Sequence, residues 1–271
     1  MALNINTNVA SLSAQKNLSA SQSSLAGSFQ KLSSGLRVNS AADDAAGLAV
    51  SESMKSQIRS YTVAQRNAAD GISMAQTAEG ALGQVHDVLG RMRELAMQAS
   101  NGSLGTTDRG YLDTEFASLK SEIGRIQDSA KFNGTKLVNA TGASITFQVG
   151  LNNTGSDQIA VTFGGVTVLS AGVAVGTVTN ALNALGAIDT AIQNVSNSRA
   201  KFGTAMNRLN YATSSIQTMS VNIAAANSRI VDVDVANETS AMSRNQVLSQ
   251  AGVSVLAQAN QLPQLALSLL R

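Results

Sequence analysis

IDTAIQNVSNSRAKFGTAMNRLNYATSSIQTMSVNIAAANSRI, residues Ile188 to Ile230, is the stretch that decides the fold. Ile188, Val195, Phe202, Leu209, Ile216, Ile223 and Ile230 occupy every seventh position without a miss. A strict seven-residue repeat keeps apolar side chains on one face of a helix, so this segment is a coiled-coil or long bundle helix rather than a surface helix. A second seam, Leu185, Ile192 and Met206, runs three residues ahead of the first and is interrupted at Arg199 and Thr213. The first half of the chain offers a partner of the same kind: Met54, Tyr61, Ala68, Ala75, Leu82, Leu89 and Ala96 recur every seven residues, with Ile58 and Ile72 beside them. Gly71, Gly80, Gly83 and Gly90 lie inside this run. Each costs about 1 kcal/mol of helix propensity relative to Ala, so packing must hold the helix together, and small residues let a neighbour come close.

Outward from these two helices, both chain ends carry an apolar stripe with almost no charge. Ala241, Leu248, Val255, Leu262 and Leu269 are seven apart, and between Arg244 and Arg271 there is no Asp, Glu, Lys or Arg. Leu18, Leu25 and Leu32 repeat the pattern at the other end, where Lys16 and Lys31 are the only charges before Arg37. A helix whose polar face is only Ser, Gln and Asn solvates poorly. The two ends are expected to pair with each other and to need further partners.

The middle is different. Leu112, Phe116, Leu119, Ile123 and Ile126 begin a shorter helix expected to end near Asn133-Gly134. Ile145, Phe147 and Val149 then alternate, Asn152 to Ser156 is rich in turn residues, and Ile159, Val161 and Phe163 alternate again: a hairpin, within about residues 140–170. Val166 and Val168 could continue it, and 171–179 has no decisive period. The fold class is mainly α: a long antiparallel coiled-coil or helical-bundle rod with a small β-hairpin at its far end. Residues 1–42 with 232–271 are expected to form one discontinuous domain, and 43–231 the other.

Composition supports long helices over a compact enzyme. Of 271 residues 3% are aromatic, Trp and Cys are absent, and Pro263 is the only proline. The net charge of +2 comes from 19 basic and 17 acidic residues with no basic run, which gives nucleic-acid binding no support. No stretch approaches the ~18 apolar residues of a membrane span, and the start lacks the basic and apolar regions of a cleaved secretory signal. Metal and catalytic chemistry find no footing: His86 is the only histidine, and no G-x-S-x-G, phosphate-cradling or H-E-x-x-H motif occurs. Asp43 and Asp44 precede a helix and suit its dipole, and Asp234 is an N-cap candidate. No cofactor and no enzymatic activity are expected.

LSSGLRVNSAADDAAGLAVS (Leu32–Ser51), RNAADGISMAQTAEGAL (Arg66–Leu82) and MSRNQVLSQAGVSVLAQANQLPQLALSLLR (Met242–Arg271) resemble the two ends of bacterial flagellin, over about 1–135 and 180–271. The short stretch between them implies a minimal form without outer domains. The resemblance implies a subunit that polymerises with itself into the extracellular flagellar filament for swimming, secreted unfolded through the flagellum's own channel. Its terminal helices form the inner tube, and its longer helices with the hairpin the surrounding layer. Leu18, Leu25, Leu32, Leu248, Val255, Leu262 and Leu269 are then filament-core positions. Ile188, Val195, Phe202, Leu209, Ile216, Ile223, Met54, Tyr61, Leu82 and Leu89 form the seam of the long helices. Implied partners are an export chaperone, hook-associated proteins and the filament cap. GRMRELAMQASNG, Gly90 to Gly102, resembles the segment read by Toll-like receptor 5, with Arg91, Leu95 and Glu115 at contact positions and Gly90 and Met92 departing from the commoner residues. Two other readings are a hook-filament junction protein, which shares the terminal helices, and a secreted membrane-active amphipathic protein. The latter would carry basic polar faces that neither end shows.

Overall fold

The computed structural model describes residues 7–139, 141–164, 167–169 and 172–268, with side chains described up to residue 261. Five helices dominate: α1 (Val9–Ser34), α2 (Ala45–Ala99), α3 (Thr106–Ser129), α4 (Val178–Val231) and α5 (Val235–Ser268). Four short strands separate α3 from α4: β1 (Lys131–Phe132), β2 (Thr135–Lys136), β3 (Ala143–Gln148) and β4 (Gln158–Phe163). They form two antiparallel pairs, β1 with β2 and β3 with β4. The backbone divides into two compact units, one from the chain before Gln57 and after Val221, the other Gln57–Val221.

The Gln57–Val221 unit holds the large buried side chains. On α4 the seam residues Ile188, Val195, Phe202, Leu209 and Ile216 are all buried. On α2 Tyr61, Ala68, Ala75, Leu82, Leu89 and Ala96 are buried as well. The second seam differs from the expected one. Leu185, Ile192 and Met206 are only half-buried, while Ala184, Ala191 and Ala205, three residues after the first-seam positions rather than before, are buried. The same offset recurs on α2 with Ala64, Ala78, Val85, Met92 and Ala99. On α4 small side chains thus fill the second seam and the larger ones sit on its margins, whereas on α2 Val85 and Met92 are buried in it. Cross-links fix an antiparallel pairing: Tyr61 Oη donates to Met219 Sδ at 3.4 Å, Arg199 pairs with Glu79 at 2.6 Å, and Arg93 pairs with Asp189 at 2.7 Å.

α3 adds Phe116, Ile123 and Ile126 to this core. The β3–β4 hairpin adds Phe147, Ile159, Val161 and Phe163, with Phe163 stacked on Phe202 at 5.4 Å and edge-on to Phe147 at 6.5 Å. Gly71 of α2 faces this cluster: a Cβ there would lie 3.1 Å from both Leu209 and Phe147. Helix α3 ends at Ser129, earlier than expected, because Asn133 (φ 46°) and Gly134 (φ 80°) are the two-residue loop of the β1–β2 hairpin and not a helix end. Val168 is buried without joining a strand, and Val166 lies outside the described residues. The stretch before α4 forms no strand where described; Asp113 accepts from Val175 N at 2.7 Å and Lys120 donates to Val173 O at 3.2 Å.

A buried guanidinium organises the α2–α3 connection. Arg109 donates to Ala99 O at 2.8 Å, Asn101 O at 3.1 Å and Leu104 O at 3.2 Å, so it satisfies the last carbonyl of α2 and ties two carbonyls of the following loop to it. At the α2 start Asp44 accepts from Gly47 N at 2.8 Å, a cap. Asp43 instead accepts from Asn39 N and Ser40 N, at 3.1 and 2.9 Å. Asp234 caps α5 through Ala236 N and Asn237 N, at 3.0 and 3.2 Å.

Candidate polymerisation surface

The chain ends are assembled from α1 and α5, and local chemistry sets their limits. Asn8 caps α1 by accepting from Ser11 N, and Gly35 closes it in the left-handed conformation (φ 74°) with its N–H on Lys31 O. An isolated bridge, Leu36 to Asp232, and the bond from Val233 N to Gly35 O at 3.0 Å then tie the two turns together. Arg37 reaches the Ile230 carbonyl nearby. At the other end of the pair, Asn8 Nδ2 donates to Ala259 O and Ser11 Oγ to Asn260 Oδ1, both at 2.7 Å. The helices are therefore antiparallel partners.

Their mutual face is built from small and aliphatic groups. Ala14, Ser28 and Ala259 are buried, and Leu18, Leu25, Leu32, Gly252 and Leu256 are half-buried. The missing Cβ of Gly252 lies 3.3 Å from Leu18 Cδ1. Of the α1 residues expected at the assembly core, Leu18 thus already covers part of α5. The α5 residues are placed differently. Leu248 and Val255 are 49% and 55% exposed. The side chain of Leu262, and Leu269 altogether, lie outside the described residues.

Leu248 and Val255 do not stand alone. Val247, Val253 and Val235 of α5 and Val9, Leu12 and Phe29 of α1 are exposed too, each by more than half. Against them stand four charges in the two helices, Lys16 and Lys31 on α1 and Glu238 and Arg244 on α5. Following one seven-residue stripe picks out Leu248 and Val255 but misses Val247 and Val253; the signal for those is the absence of charge on every face of α5 after Arg244. A run of exposed valine and leucine on a nearly uncharged helix pair is the mark of a surface meant to be covered.

The seam residues have the roles described above, except that Met54 and Ile223 are half-buried. Of the other predicted contact residues, Arg91 donates through Nε and Nη2 to Glu115 at 3.0 and 2.9 Å and through Nη1 to Glu94 at 2.9 Å. Bonds from both carboxylates, Glu94 first, raise the Arg91 pKa above its ordinary value. Arg91 and Glu115 are on the surface, whereas Leu95 is 1% exposed, in the core. His86 Nδ1 is buried without a partner. Among the described residues no three His, Cys, Asp or Glu side chains gather as a metal site, and no helix is long and apolar enough to cross a membrane.

Comparison with known proteins meets this geometry. The N-terminal helical region of bacterial flagellin matches residues 5–143 and its C-terminal helical region residues 185–270. A flagellin of Halalkalibacterium halodurans is 43% identical over 270 residues, covering 98% of this chain and 99% of its own. The flagellar filament 33 kDa core protein of Treponema phagedenis is 40% identical over 286 residues, with 98% and 99% covered. The crystal structure of Bacillus cereus flagellin superposes with a TM-score of 0.51 at 34% identity, over 60% of this chain and 94% of that one. Two helical regions matched in order, full-length relatives and an apolar terminal helix pair agree: the chain belongs to the bacterial flagellin family.

Proposed function

We propose that this flagellin, a structural subunit of the flagellar filament, polymerises through the outward faces of α1 and α5. The observation that supports the reading is the exposure of Val247, Leu248, Val253 and Val255 on a helix with two charges, Glu238 and Arg244. Complete burial of each such side chain contributes about 1.5–3 kcal/mol. Ordering costs about 1–2 kcal/mol per residue of backbone, so one contact is not enough and a polymer, with many neighbours per subunit, is the natural sink. Electron microscopy of the full chain with sheared filament seeds tests this. The wild type should give long filaments. Leu248→Asp combined with Val255→Asp should give none, while far-UV circular dichroism stays unchanged because both positions already face water. Filaments from the double variant would refute the surface.

The finer reading extends that role. The chain is exported unfolded through the flagellar channel, works outside the cell, and meets an export chaperone, the hook-associated proteins and the filament cap. It performs no catalysis, binds no nucleic acid and does not insert in membranes. The surface pair Arg91–Glu115 is offered to Toll-like receptor 5 by the monomer, with Leu95 supporting that surface from beneath. Charge reversal at Arg91 should weaken receptor activation by monomer without changing the monomer's fold, since the pair is half exposed.

A further inference from the structure

Among the described residues, β4 is the one strand paired with β3, and no strand lies on its other edge. Val149 N donates to Asp157 O at 2.8 Å, which sets the phase of the ladder. Ala143, Ile145 and Phe147 therefore direct their main-chain groups at β4, and Ser144, Thr146 and Gln148 direct theirs away. Gln148 confirms the phase independently, since its carbonyl accepts from Asn67 Nδ2 of α2 at 3.1 Å. Among the described residues, no hydrogen bond reaches the main-chain groups of Ser144 or Thr146. Natural sheets blunt such edges with lysine, proline or a bulge. β3, Ala-Ser-Ile-Thr-Phe-Gln, has no charge or proline and pairs residue for residue with β4.

Beside this edge lies a cleft of about 470 Å³ between α2, β3 and the β1–β2 hairpin. That size is within the ~300–1,000 Å³ typical of ligand sites. Its lining is apolar at Met74, Phe132, Ile145 and Phe147. The exposed carboxylate of Asp70 stands on the same wall and enters no ion pair among the described residues.

We infer that the open edge of β3 and this cleft form a strand-addition site for an extended segment of a partner protein that carries an apolar residue and, two positions on, a lysine or arginine. The main-chain groups of Ser144 and Thr146 supply the ladder bonds. Residues two apart in a strand point to one side, so the apolar side chain enters the cleft while its basic neighbour meets Asp70. The site lies wholly within the Gln57–Val221 unit and does not depend on how α1 and α5 polymerise.

The test uses the full chain, at a concentration where sedimentation shows monomer, with the blocked pentapeptide Thr-Val-Thr-Lys-Thr. Amide exchange read by NMR should slow about tenfold at Ser144 and Thr146 as the new ladder forms. N-methylating the peptide backbone should abolish the protection, and Lys-to-Glu in the peptide or Asp70→Asn in the protein should weaken it. Thr146→Pro removes an outward N–H that no ladder bond uses and should also abolish it; if that variant fails to fold, Asp70→Asn and the methylated peptide still decide. The proposal is overturned by an absence of protection at about 1 mM peptide, far above the dissociation constants of specific complexes. It is equally overturned by protection that survives N-methylation, which would leave only side-chain binding in the cleft. Protection that rises with protein concentration without peptide would assign the edge to a second copy instead. Filament formation is read separately, so loss of one result leaves the other standing.

Discussion

At Gly71 two opposed residue-scale effects can be compared directly. Replacing a helical glycine by alanine gains about 1 kcal/mol of helix propensity. At Gly71 the new methyl would meet the buried side chains of Leu209 and Phe147 at 3.1 Å, and overpacking of this kind costs about 1–3 kcal/mol. Gly71→Ala should therefore lower stability in urea denaturation, whereas Gly83→Ala, whose Cβ meets nothing within 4 Å, should raise it by up to about 1 kcal/mol. If both variants gain stability, α2 does not approach the hairpin as closely as described. Arg109 is the other residue of this kind, 6% exposed and bonded to three carbonyls. Arg109→Met keeps much of the volume but strands the Ala99 and Leu104 carbonyls, and the urea midpoint should fall by the equivalent of about 2–4 kcal/mol. The sequence offers Gly71 only as one of four glycines that let a neighbour come close, and it does not mark Arg109. A glycine among four in one helix and an arginine near a loop look ordinary until the neighbours that crowd or satisfy them are known.

At the scale of elements, the helices were legible because the seven-residue repeat is a long-range regularity that no local accident imitates. Ile188 through Ile216 read as core and are core. The second seam reads on the wrong side of the first because apolar residues recur at helical spacing on both sides of it. On α4 the larger residues Leu185, Ile192 and Met206 are half-buried at the margin, and Ala184, Ala191 and Ala205 are buried at the centre. Asn133-Gly134 reads in the sequence as a helix end because strands of two residues leave no alternation to detect. Ile216→Asp, placing an unpaired charge at a position 3% exposed, should cost about 3–5 kcal/mol and lower the melting temperature sharply. The start of α2 makes a pH prediction. The N–H groups of Ser40 and then Asn39 hold the Asp43 carboxyl below its ordinary 3.8. A depressed carboxylate stabilises the fold above its unfolded pKa, and that contribution disappears as pH falls through the folded value. The wild type should thus lose stability from about pH 4 downward, and Asp43→Asn should lose less over the same range. Equal acid sensitivity in both would remove Asp43 from the account.

At the scale of the whole molecule, stability and assembly are assigned to different parts of the chain. The large buried side chains, Phe116, Phe163, Phe202, Leu82, Leu89 and Leu209 among them, belong to Gln57–Val221. The chain ends bury mainly Ala14, Ser28, Val38, Val231 and Ala259, a core of small groups, while leaving valines and leucines in water. A unit with so little large apolar burial sits at the low end of local stability. Removing residues 237–271 strips α1 of its partner and eliminates most of the exposed apolar face of α5 but takes nothing from the seam between α2 and α4. The truncated chain should remain monomeric at concentrations where the full chain polymerises on seeds. Its main unfolding transition, followed by circular dichroism at 222 nm, should keep its midpoint within about 1 kcal/mol of the full-length monomer, the tolerance expected of independent parts. Spontaneous filaments from the truncation would show that the α1–α5 pair is not the polymerising surface, and a collapse of the main transition would show that the seam borrows its stability from the ends.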